Sequence, residues 1–271
     1  PPRLAAARVL KNVLSGHSLS RALPEGLQAL PENQRATAQA LAYGVLRYFE
    51  LLEALASVLL KKPFKAKDRE LYLLLLIGLF ELRDGRTAGH AVVNETVKLV
   101  KSRYGWAAGL VNACLRRYQR ERETLEVEAK KTESARYGLP EWWVERLRYD
   151  WPEEWEAVAS QFSMPASMTL RANLDRISRQ SYQSRLSELG WQSSVNPFAP
   201  SAVILEQAVD VAELPGFAEG LVSVQDAAAQ LAGVLMQAEK GDRLLDACAA
   251  PGGKMAHMLD IGGGDAQVVA V

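Results

Sequence analysis

Apolar residues recur at three- and four-residue intervals through the first 130 positions. Val9 and Val13 run with Leu10 and Leu14. Leu41, Val45, Leu46 and Phe49 follow the same spacing, as do Leu110, Val111, Cys114, Leu115 and Tyr118. A period near 3.6 gathers such residues on one face of a helix. Pro24, Pro31 and Pro63 fall between these segments, where a helix must stop or start. The pattern predicts a bundle of about six or seven helices. The uncharged run from Leu71 to Phe80 includes Gly78 and is much shorter than the ~18 apolar residues of a membrane span. It predicts a buried core helix.

The period then changes. Residues 132–162 hold Pro140 and Pro152 with Trp142, Trp143, Trp151 and Trp155 among charges, which predicts short helices bridging two domains. Their tryptophans suit packing between domains better than base stacking, since indoles on an amphipathic linker commonly staple one domain to another. Beyond Met164, the stretches from Met168 to Arg171 and from Ala202 to Leu205 read as strands. Arg179 to Leu189 reads as a helix stopped by Gly190. After Leu214-Pro215-Gly216 come a short strand from Leu221 to Val224, a helix from Asp226 to Gln237, and a strand-turn-helix-strand unit ending at Val271.

Composition sets the class. Hydrophobic residues are 48% and charged residues 24% of 271, which excludes a disordered or collagenous chain. Cys114 and Cys248 stand far apart with no CxxC or Cys/His spacing, so neither a zinc site nor a disulfide framework is expected, and a reducing, cytoplasmic setting is. Pro1-Pro2-Arg3 has no secretory pattern and no initiator Met, so the numbering is expected to begin at a processed or artificial end. The zero net charge conceals a split: residues 1–130 carry 21 Lys/Arg and 13 Asp/Glu, a net of +8, and residues 131–271 carry 11 and 19, a net of −8. A basic half points to nucleic acid. Candidate phosphate contacts are Arg103, the group Arg116, Arg117, Arg120 and Arg122 at helical spacing, and Lys61, Lys62, Lys65 and Lys67. Solvated helix faces are the alternative reading.

The chemistry is concentrated in residues 243–254. Leu244-Leu245 forms the apolar centre of a parallel strand, and Gly252-Gly253 opens the backbone ahead of a helix running to about Asp260. Glycines there let the backbone approach a ligand, and free N–H groups at the helix start favour a negative group. The spacing does not match G-x-G-x-x-G. It also fails the P-loop, because Cys248 occupies the first glycine position and Met255 replaces the magnesium-binding Ser/Thr. The remaining class binds S-adenosylmethionine. Asp246 is expected to orient the loop, and Lys254 either to meet the cofactor's carboxylate or to be solvated. Cys248 reads as a small buried hydrophobe rather than a nucleophile, and Cys114 as core. His257 reads as a surface or packing histidine, and Gly262-Gly263-Gly264 as a helix C-cap and turn.

Asp-Ala-Cys-Ala-Ala-Pro-Gly-Gly-Lys over residues 246–254 resembles the cofactor loop of the RNA cytosine-5 methyltransferases, the NOL/NOP/SUN group. The stretch from Val224 to Gln230 resembles the segment before that loop, and Leu170-Arg171-Ala172-Asn173 the start of the group's small RNA-binding subdomain. His90 to Glu95 with Gly109 to Arg116 is similar to the NusB-type helical domain. The resemblance covers essentially the whole chain and implies a multidomain protein: an all-α NusB-like helical RNA-binding bundle (1–131), a helical linker (132–162), a small α+β RNA-binding subdomain (163–215) and the start of an α/β Rossmann-like methyltransferase domain (216–271). It implies S-adenosylmethionine as cofactor, held by Cys248, Ala249, Ala250, Pro251, Gly252, Gly253 and Lys254. The implied partner is 16S rRNA or a small-subunit assembly intermediate, with Arg171 as a further RNA contact, and neither a membrane nor a metal is implied. The implied reaction methylates C5 of a cytosine after a cysteine adds to C6. By the resemblance that cysteine lies in a Thr-Cys-Ser segment and a second follows Asp-x-Pro. Neither segment occurs in these 271 residues, so the chain by itself is expected to be truncated and inactive. The rival expectation is a noncatalytic NusB-like RNA-binding protein with a vestigial cofactor loop.

Overall fold

The computed structural model describes residues 1–162, 164, 166–262 and 266–271. They form two compact units, Pro1–Met164 and Pro165–Val271.

The first unit is helical. It runs through α1 (Pro2–Leu14), α2 (Leu19–Leu27), α3 (Glu32–Arg47), α4 (Phe49–Leu59), α5 (Arg69–Asp84), α6 (Gly89–Arg103) and α7 (Ala108–Ala129), then the shorter α8 (Glu133–Tyr137), α9 (Glu141–Asp150) and α10 (Trp155–Gln161). The apolar run from Leu71 to Phe80 is the middle of α5, which packs on α1, α3, α4, α6 and α7. A helix apolar all round is stable only when neighbours cover every side. At Gly78 an added Cβ would lie 3.0 Å from Leu115 and 3.3 Å from Thr96, so the glycine sets how closely α6 and α7 approach. Glu81, almost fully buried on the same helix, accepts a two-pronged contact from Arg3 at 2.6 and 2.9 Å. The pair satisfies a charge that burial would otherwise penalise and ties α1 to α5. Gly85, at φ 74°, closes α5 by donating to Glu81 O at 3.1 Å, a left-handed cap that suits a residue without Cβ.

Two details depart from the sequence reading. Pro24 lies within α2 rather than between helices. In so short a helix a missing N–H removes little hydrogen bonding, and packing of α2 against α1 and α3 decides the conformation. Of the four tryptophans in 132–162, only Trp155 joins the apolar cluster of Leu139, Val144, Leu147 and Ala159. Trp142 and Trp143 stack on each other with centroids 5.6 Å apart, and Trp142 remains 66% exposed.

The second unit starts with β1 (Thr169–Ala172), α11 (Arg179–Glu188), β2 (Ser193–Val195), β3 (Ala202–Leu205) and β4 (Val222–Val224). They build an antiparallel sheet in the order β2-β3-β1-β4, with Leu170 opposite Val203 on one side and Val224 on the other. Leu170, Ala172, Val203, Leu205 and Val222 meet Tyr182 and Leu186 of α11 in its core. β2 has no sequence signature, because an edge strand of Ser-Ser-Val lacks the alternation that betrays a half-buried one. α12 (Ala227–Met236), β5 (Arg243–Asp246), α13 (Gly253–Ile261) and β6 (Gln267–Ala270) follow, with β5 and β6 parallel and Leu244 opposite Val268. Leu235, Leu245 and Val269 are exposed. Gly262 caps α13, while Gly263 and Gly264 lie outside the described residues. The architecture is thus an all-α bundle, a small α+β sheet and the opening of a parallel α/β unit. Among the described residues no helix is long and apolar enough to cross a membrane, and no cluster of His, Cys, Asp or Glu could hold a metal ion.

Candidate cofactor loop and the cluster behind it

Asp246 ends β5 and anchors the start of the loop. Its carbonyl accepts from Val271 N at 2.9 Å, and its Oδ1 accepts from Cys248 N at 3.2 Å. Ala249 N donates to Val271 O at 3.2 Å, so the loop leaves the strand tied to the far end of β6. The chain then passes a cis Ala250–Pro251 bond and reaches Gly252 at φ 97°, a left-handed conformation that L side chains rarely adopt. Ala256 N donates to Gly252 O at 2.9 Å, which starts α13. Cys248, Ala250, Pro251, Gly253 and Lys254 are exposed, and Ala249 and Gly252 are half-buried. These seven residues therefore form one continuous turn between strand and helix. Cys248 is not the buried hydrophobe of the alternative reading. Cys114 is core, and burial pushes its thiol pKa up.

Gln225, just past β4, lies beside this turn: its Nε2 is 3.9 Å from where a Cβ on Gly253 would stand. Gln225 Oε1 and Asp246 Oδ2 are both buried acceptors without a hydrogen-bond partner in the chain. Such atoms are uncommon, because a buried acceptor left unpaired costs free energy. One belongs to the residue that borders Gly253 and the other to the residue that opens the loop.

Behind α13 lies a buried polar cluster that sequence reasoning missed. Gln230 of α12 is fully buried and donates through Nε2 to Leu170 O at 3.3 Å and Gln225 O at 3.0 Å. Its Oε1 accepts from Ser201 Oγ at 3.0 Å, and Ser201 Oγ lies 3.5 Å from His257 Nε2. Because the serine proton goes to Gln230, Ser201 can only accept from the imidazole, which assigns the proton to Nε2. Nδ1 then faces Gly233, where an added Cβ would sit 2.6 Å away. His257 is 4% exposed, a packing histidine and not a surface one. Burial lowers its pKa, the Arg171 guanidinium lowers it further, and Asp260 opposes both.

Arg171 is also corrected. Its side chain is 6% exposed and forms an ion pair with Asp260 of α13. Asn173 Nδ2 stands 3.5 Å from the other oxygen of that carboxylate. A buried guanidinium committed to this partly exposed carboxylate is not presented to a phosphate. The other arginines lie on the helical unit: Arg103 bonds Glu70 at 3.0 Å, Arg116 donates to Asn112 at 3.2 Å, Arg117 pairs with Glu121 at 2.9 Å, and Arg120 reaches the same carboxylate at 3.6 Å. Arg116, Arg117 and Arg120 share α7.

Three family matches succeed one another along the chain. Residues 1–120 match the NusB family, residues 139–212 the RsmF/B-like methyltransferase ferredoxin-like domain, and residues 233–271 the 16S rRNA methyltransferase RsmB/F family. The ribosomal RNA small subunit methyltransferase B of Pseudomonas putida is 44% identical over 272 residues, covering 100% of this chain and 62% of that protein. The proteins of the same name from Vibrio cholerae and Klebsiella pneumoniae (subsp. pneumoniae) are 42% and 40% identical, each over 99% of this chain and 62% of their own. The chain is similar to these proteins along essentially its whole length. It spans about 62% of the length of these RsmB relatives. The crystal structure of PH0851 has a similar fold, with a TM-score of 0.63 at 16% identity over 100% of this chain and 63% of that one.

Proposed function

We propose that this chain is part of an rRNA methyltransferase that transfers a methyl group from S-adenosylmethionine to C5 of a cytosine in 16S rRNA, with free rRNA or a small-subunit assembly intermediate as its partner in the cytoplasm. The observation that carries the cofactor reading is the pair of unpartnered buried acceptors, Asp246 Oδ2 where the loop opens and Oε1 of Gln225, the residue that borders Gly253. S-adenosylmethionine has an ammonium and ribose hydroxyls to give them. Its carboxylate suits the free N–H groups and positive end of α13 and the exposed Lys254. Cys248 to Lys254 would hold it.

The bound cofactor supplies an electrophilic methyl group. Cytosine C5 is a weak nucleophile until a thiolate adds to C6, so a cysteine must stand over the base. Cys114 is buried in the helical core, and Cys248 belongs to the cofactor turn, so these 271 residues bind and orient without supplying that thiolate. On this reading they do not methylate RNA alone. The helical unit, through Arg103, Arg116, Arg117 and Arg120, engages phosphates.

The test is to incubate the full-length protein with 16S rRNA fragments carrying 5-fluorocytidine and S-adenosylmethionine. A covalent protein–RNA adduct is expected, because fluorine at C5 blocks the elimination that normally releases the cysteine. Methyl transfer to natural RNA without any adduct on the fluorinated one would exclude the C5 mechanism.

A further inference from the structure

We infer that Arg171 is a positioning residue for the cofactor loop: through Asp260 it holds α13, and with it the Gly252-Gly253-Lys254 turn, in register with the four-stranded sheet. The inference rests on the reading of that turn as the S-adenosylmethionine site.

α13 begins at the turn and is only Gly253–Ile261, so its orientation sets where the turn's N–H groups point. It is held at three levels. At its start Gln225 borders Gly253. In its middle His257 fits between Ser201, at 3.5 Å, and the space left by Gly233. At its end Asp260 pairs with Arg171 of β1, the strand between β3 and β4.

The third contact is the one that general physical chemistry does not favour for stability. An acidic residue in the last turn of a helix opposes the helix dipole. Burying the Arg171 charge costs desolvation that its ion pair with the partly exposed Asp260 offsets only in part. Here the pair also leaves Arg171 Nε buried without a partner. What such a pair does provide is direction. A guanidinium is planar and rigid, and its N–H groups donate to a carboxylate in few orientations. Asn173 on the other carboxylate oxygen narrows them further. An apolar contact would let α13 slide or rotate along the sheet, and the pair does not.

The experiment uses full-length protein carrying Arg171→Met, Arg171→Lys, Asp260→Asn and the double substitution Arg171→Met/Asp260→Met, the last removing both charges. Three quantities are read on protein whose fold is verified by circular dichroism: S-adenosylmethionine affinity by calorimetry, affinity for a 16S rRNA fragment, and amide hydrogen exchange over residues 252–261 without cofactor. The expected result is a cofactor Kd roughly tenfold higher for Arg171→Met and for the double variant. Faster exchange across the turn is expected with it, as is an RNA Kd within twofold of wild type, and Arg171→Lys is expected not to restore cofactor affinity, because an ammonium lacks the fixed directions of the guanidinium. A purely structural role would lower the melting temperature and leave the cofactor Kd of folded protein unchanged. That outcome, or RNA affinity falling while cofactor affinity and exchange stay at wild-type values, overturns the inference. If wild-type protein binds no S-adenosylmethionine, the cofactor reading itself fails. Exchange then decides the mechanical claim separately, and unchanged protection in Arg171→Met overturns it.

Discussion

Burying His257 as a neutral imidazole makes the second unit acid-sensitive. Its folded-state pKa lies below the ordinary value of 6.5, chiefly through burial, with Arg171 adding to the effect. The unfolded chain therefore takes up a proton before the folded one does. Stability is full above about pH 6.5 and falls as pH drops from there toward the depressed folded value, by up to about 1.4 kcal/mol per pH unit for one proton. Denaturant titrations of wild type and His257→Gln between pH 7.5 and 5 check this: the variant is expected to lose less stability on acidification, and parallel curves would assign the acid sensitivity elsewhere. The sequence marked His257 only as a surface or packing histidine. Its partners Ser201 and Arg171 are 56 residues away or more, and no local pattern records such a meeting.

At the scale of elements, the strongest patterns were read correctly. The run from Leu71 to Phe80 became the central helix because no other environment accommodates an all-apolar rod. Leu75 has no solvent exposure and sits in the main apolar cluster, whereas Leu110, equally apolar and on α7, is 41% exposed. Leu75→Ala is expected to cost about 2–5 kcal/mol, and Leu110→Ala less than about 1 kcal/mol. Urea unfolding of both variants measures the difference, and equal losses would contradict the packing described. Strands β1, β3, β5 and β6 lie where alternation or apolar runs pointed. β2 was illegible because an edge strand is specified by its neighbour, here β3, and not by its own side chains. Pro24 inside α2 has the same cause, since contacts from α1 and α3 override a local preference.

For the molecule as a whole, net basic charge and the glycine turn fall in different stretches of the chain. The excess of basic residues falls in 1–130, and the glycine turn falls in the net-acidic remainder. If the helical unit supplies phosphate contacts, RNA affinity must fall steeply with salt. Arg116→Ala and Arg120→Ala should each weaken RNA binding by the full-length protein and lower the log–log salt slope by roughly 0.7–0.9. S-adenosylmethionine binding should not change with either. Filter binding over a range of KCl concentrations checks this, and an unaltered slope would return these arginines to the role of a solvated face paired with Asn112 and Glu121.

Read alone, the sequence determined the helical period of the first unit, the change to strands beyond Met164, and the glycine turn between a strand and a helix. Each is written in adjacent residues, and local sterics and a single buried face are enough to impose it. Only the tertiary structure decided what Arg171 does. The same motif that suggested an RNA contact places its guanidinium on Asp260, 89 residues further along the chain. It likewise decided that Asp246 and Gln225 hold buried acceptors left unpaired. Burial and partnership are properties of the space between elements, and a charge or an acceptor takes its role from what the fold leaves beside it.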